Sequence, residues 1–144
     1  MNRSFFVAIA SISLLVGVAT AQKEDSTKPF RGRWITEDGK GVYEAAPCPQ
    51  GFCGTIIGVK PHIDGKGKPD ASCGVQVLTL TKWNPDKRRW EGQVLDPDSK
   101  KSYSASLESG KDGNPVMRAS WGLIKFSEKW TAFTGSIGNG CEIK

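Results

Sequence analysis

Turn-forming residues cut this chain into short pieces. "EDGKG", "NPDK", "DPDSKK" and "GKDGN" recur from residue 37 onward, and nothing between them holds the apolar period of a helix. The pieces alternate instead. In "FRGRWIT", Phe30, Gly32, Trp34 and Thr36 face one way and Arg31, Arg33 and Ile35 the other. In "CGVQVLTLTKW", Val75, Val77, Thr79, Thr81 and Trp83 share a face. "VYEAAP", "CGTIIGVK", "RRWEGQVLD", "SYSASLES", "PVMRASW" and "FSEKWTAFT" complete a set of eight strands, the last two joined at Gly122. The pattern predicts an all-β chain. Successive strands with tight links point to an up-and-down antiparallel barrel, whose closure removes exposed edges. A two-sheet β-sandwich is the alternative. An eight-stranded barrel has an interior for packed side chains or one small ligand.

The chain opens "MNRSFFVAIASISLLVGVATAQ". Arg3, an apolar run and the small-residue site Ala19-Thr20-Ala21 predict a signal peptide over 1–21. The run is short for a bilayer span, which needs about 20 residues, and acidic Glu24 and Asp25 follow it. Residues 22–29, "QKEDSTKP", read as a disordered leader, and 30–144 as one barrel domain with a Gly-rich tail. The expected location is periplasmic or secreted, with no membrane span. The net charge of +5 is scattered among acids, so no basic stripe recommends a nucleic-acid partner.

Cys48, Cys53, Cys73 and Cys141 form an even set in a small exported chain, which reads as disulfides. The spacing in "CPQGFC" suits neither a zinc knuckle nor a redox C-x-x-C motif. Three pairings are open. Cys48–Cys53 is favoured because Pro49 and Gly51 turn the loop back, which leaves Cys73–Cys141 to tie down the tail.

"GRWITEDGKGVYEAAPCPQGFCGTIIGVK" and "WEGQVLDPDSKKSYSASL" also resemble the bacterial "domain of unknown function 2147" family. The resemblance covers residues 32 to about 131. It lies in the Gly-x-Trp opening at Gly32 to Trp34, the Cys-Gly at Cys53, and Trp90, Gly92, Asp96, Pro97 and Tyr103. Ser99 stands where that family often has glycine, and Thr131 and Ala132 follow Trp130 where it usually has an arginine. The resemblance implies an exported, lipocalin-like barrel of unassigned activity, with Trp34 as a structural anchor at its closed end.

No catalytic constellation stands out. His62 lies near Asp64 and Asp70, but no motif places a nucleophile beside them, and Lys66 and Lys68 oppose a cation there. No metal and no cofactor is expected, and the chain is not expected to be an enzyme. Trp34, Tyr43, Trp83, Trp90, Tyr103, Trp121 and Trp130 are spread over the strands. Alternation puts Glu44, Arg118 and Glu128 on faces with several of them. Either the interior holds charge, or a one-residue register difference moves it outside. The expected function is non-enzymatic binding of a small apolar or amphipathic molecule, with Tyr43, Arg118 and Trp130 lining the site. Arg118 beside an indole would suit a carboxylate or phosphate head on an apolar body. The alternative is a protein-interaction or inhibitor module acting through surface loops.

Overall fold

The computed structural model describes residues 24–60 and 72–144. The expected signal peptide, and His62, Asp64 and Asp70, lie outside the described residues. Eight strands follow one another: β1 (Gly32–Thr36), β2 (Gly41–Cys48), β3 (Gly51–Val59), β4 (Gln76–Asn84), β5 (Arg89–Leu95), β6 (Ser102–Ser109), β7 (Pro115–Trp121) and β8 (Ile124–Ala132). Each pairs antiparallel with the next, and β8 returns to β1, so the sheet closes as an up-and-down barrel. The all-β barrel is thus the observed architecture, and the sandwich is set aside.

One end is plugged. A 3₁₀ turn over Lys28–Phe30 tucks Phe30 under the barrel, where its ring meets Phe52 edge-on at 6.3 Å. Phe52 stacks on Trp90 at 5.9 Å, and Trp90 tilts against Trp83. The plug is pinned by two indoles. Trp34 Nε1 donates to the Phe30 carbonyl at 2.8 Å, and Trp90 Nε1 donates to the Ser26 carbonyl at 3.1 Å. Asp25 accepts from Thr27 and pairs with Arg31. Residues 24–29 are therefore no disordered leader, which corrects the sequence expectation. The apolar area of Phe30 and the two indole N–H groups outweigh the cost of ordering a short segment. Trp34 stands at this closed end, half-buried, and packs against the core. Gly32 does not make room for its indole, since a Cβ there would lie an ordinary 3.9 Å from Trp34 Nε1. Its φ of +133° is what favours glycine.

Alternation fails in β4. Leu78 and Leu80 face inward and are buried, yet Trp83 joins them in the core. The register slips by one between Leu80 and Lys82, so an extra residue flips the side-chain parity. Trp83 is consequently not on the face of Val77 and Thr79. Gly92 permits the bulge: a Cβ there would fall 2.7 Å from Leu80 Cα. Cys48 is bonded to Cys53 across the β2–β3 turn, and Cys73 to Cys141 (Cα–Cα 5.8 and 6.0 Å). The tail then runs beside β3, where the Ile143 amide donates to the Val59 carbonyl.

Candidate functional site

Among the described residues, the end opposite the plug is open. It lies where β5 leads into β6 and β7 into β8. There Val94, Tyr103, Met117, Ala119, Trp121, Ile124 and Phe126 line a hollow of about 480 Å³. Local sequence explains it. Ala119 on β7 is small, and its side chain leaves part of the interior beside Met117 unfilled. Gly122 and Leu123 form the two-residue turn of the β7–β8 hairpin, with Trp121 opposite Ile124. Gly122 has φ +55°, the conformation a short hairpin turn needs at this position. The turn carries apolar residues to the rim: Trp121, Ile124 and Phe126 are 61%, 64% and 53% exposed, and Leu123 stands wholly in solvent. Tyr103 and Trp121 tilt together at 5.7 Å. Two other hollows, of mixed polarity, lie elsewhere among the described residues. One sits beside the N-terminal plug, between Asp25 and Lys87, and the other crosses the outer sheet past Ser106, Arg118 and Lys125.

Below the apolar wall lies an acid. Glu128 is on the inner face of β8, opposite Met117 and two residues from Phe126. Its Oε2 accepts from Trp130 Nε1 at 3.1 Å. Traced through the register, the inner faces of the eight strands carry no other formally charged side chain among the described residues. Burial pushes the Glu128 carboxyl above its usual range. The Trp130 bond works against that, and the negative charges of Asp38 and Glu37 reinforce it. Burial likewise raises the Tyr43 phenol to about 12, with Glu128 and Asp38 adding to it.

The residues expected to line the site are not together. Tyr43 and Trp130 do meet, stacked at 4.9 Å and 20°, but Trp130 is 1% exposed and belongs to the core. Arg118 faces outward. Its Nε donates to Glu108 at 2.6 Å, and Nη1 reaches Ser127 at 3.4 Å. The reason is register. The two-residue turn pairs Arg118 with Ser127, so Arg118 shares a face with odd-numbered residues of β8 and not with Trp130. Glu44 is outside as well, beside Arg33, whereas Glu128 is inside. Among the described residues, no arginine therefore faces the interior to meet an acidic head group.

The sequence marks Tyr103 and Trp121 only as two of its aromatics and does not group them with the rest of the hollow, although a signal for it exists. Met117, Ala119 and Trp121 alternate up to Gly122, and Ile124 and Phe126 alternate away from it. Starting the last strand at residue 126 hid Ile124 and the parity. No group of three or more His, Cys, Asp or Glu suited to a metal occurs among the described residues. No helix among them is long and apolar enough to cross a membrane.

A model of a bacterial family, described as "uncharacterized protein conserved in bacteria (DUF2147)", matches residues 32–132, which span the barrel from β1 to β8. No curated protein and no solved structure matches the chain.

Proposed function

The chain belongs to this bacterial DUF2147 family, and from that premise we propose that it is a non-enzymatic binding protein whose barrel holds a small apolar or amphipathic molecule at its open mouth. One observation carries the reading: an apolar hollow of about 480 Å³ opens beside the buried core. That volume lies in the range of small-molecule sites, roughly 300–1,000 Å³. Two disulfides and the signal-like opening favour an exported protein working in an oxidising compartment, periplasmic or secreted.

The test is titration with N-phenyl-1-naphthylamine, a neutral apolar probe whose emission rises out of water. Saturable binding with Kd tighter than about 100 μM is expected. Ala119→Met, which intrudes on the hollow, should weaken it by about tenfold while leaving the thermal midpoint close to that of the parent. Absence of saturable binding removes the carrier reading. The protein-interaction module would then stand, favoured by Leu123 projecting wholly into solvent at the hairpin tip.

A further inference from the structure

The mouth has an unusual order of polarity. On the β7–β8 side its rim is apolar, at Trp121, Ile124 and Phe126, and among the described inner-face residues the one formal charge lies deeper, at Glu128. Along a strand, two residues advance the chain by about 7 Å, so the Glu128 Cα is roughly that far below Phe126. Among the described residues, the cations of β7 and β8 face away from it. Arg118 is held by Glu108 on the outer surface, Lys129 by Asp112, and Lys125 shares the outer face with Ser120. Among the described residues, the charges that act on Glu128 are those of Asp38 and Glu37, both acidic. The remaining rim acid, Asp96, is engaged within its own turn, where it accepts from the Ser99 hydroxyl and the Asp98 amide.

A molecule entering tail-first would put its polar head among the apolar rim residues. A molecule entering head-first would put its head beside a carboxyl and its body against Phe126 and Trp121. We infer that the ligand binds head-first and that its head is a hydrogen-bond donor, best of all a protonated amine on an apolar body, rather than a carboxylate or phosphate. This rests on the carrier reading above. Among the described residues no cation pairs with Glu128, and an ammonium would supply that counter-charge. It also leaves one carboxylate oxygen for the Trp130 N–H, because a carboxylate accepts at both oxygens. A second anion in the same space would add like charge to an acid already disfavoured by burial.

The experiment is competition for the naphthylamine probe by three amphiphiles of equal chain length, dodecylamine, dodecanol and dodecanoic acid, each below its micelle concentration at neutral pH. The expected order is amine, then alcohol, then acid, with at least about tenfold between amine and acid. Glu128→Gln keeps an oxygen to accept from Trp130 but removes the charge. It should collapse the order, with the amine losing about tenfold and the acid gaining. Should that variant not fold, the parent protein still decides. A carboxyl ¹³C titration should show the Glu128 midpoint falling when dodecylamine binds and staying in place with dodecanol. An acid that competes as well as the amine, or an order that survives Glu128→Gln, overturns the inference and leaves the carrier reading standing. Competition by none of the three while the probe itself binds overturns the inference alone. Failure of the probe overturns both.

Discussion

At Glu128 the usual sign of carboxylate energetics is reversed. Its folded value lies above the ordinary 4.5, chiefly through burial. Between the two values the folded chain holds a proton that the unfolded chain has released. Unfolding therefore releases a proton, and stability falls as pH rises through that interval. The contribution is fully present below about 4.5, the unfolded value, and is lost once pH passes the folded value. Asp25, Asp38, Glu91, Asp96 and Asp112 shift the other way, led by hydrogen bonds from Thr27, Thr36, Arg89, Ser99 and Lys129 respectively. Each of those stabilises as pH rises, so the parent curve alone mixes both signs. The difference between parent and Glu128→Gln isolates the one residue. Thermal midpoints followed from pH 4 to 8 should show the variant gaining on the parent with rising pH. A constant difference would mean that Glu128 titrates as in the unfolded chain.

Among the elements, the N-terminal turn is the clearest case of a segment ordered by what it covers. Its helical stretch is one turn long, with no side-chain cap. A turn that short has no stability in isolation. Phe30 supplies the reason it holds, since it is 1% exposed and seated against Phe52. Phe30→Ala should cost about 3–5 kcal/mol, the usual range for a buried aromatic, and should free the Trp34 and Trp90 indole N–H groups to exchange with solvent. Urea denaturation and indole proton exchange measure the two effects. A loss below about 1 kcal/mol would show that the plug contributes little to the fold. The β7–β8 hairpin works in the opposite sense. Its turn carries apolar side chains out of the core to the rim, at the expense of burial. Its strands were legible as strands, but their facing was not. Whether Arg118 sits with Trp130 depends on the number of residues in one turn.

At the scale of the molecule, closure comes from the β1–β8 pairing and from two cross-links of different reach. Cys48–Cys53 spans 5 residues and staples a single hairpin. Cys73–Cys141 spans 68 and ties the tail back beside the start of β4. On the loop-entropy model these are worth about 2 and about 4 kcal/mol. Replacing Cys73 and Cys141 by alanine should thus lower the denaturation midpoint more than replacing Cys48 and Cys53. An equal or reversed loss would indicate that strain or residual structure in the unfolded chain outweighs loop length. Both bonds were readable, because the even count and the Pro49–Gly51 turn are local facts of the chain.

The sequence by itself determined that the chain is a succession of antiparallel strands with tight links, because alternation and turn chemistry act over a few residues. It also determined the family, through the Gly-x-Trp and Cys-Gly blocks. Only the tertiary structure decided which residues share the interior. Facing is passed from strand to strand through the register. One bulge after Leu80 turned Trp83 inward, and one two-residue turn put Arg118 outside and left Glu128 inside. The hollow is a tertiary fact for the same reason. Tyr103 and Trp121 lie eighteen residues apart along the chain and line it together only because β6 and β7 pair side by side. Side-chain volume is written in the sequence, but a cavity is a sum over neighbours that only the closed barrel brings together.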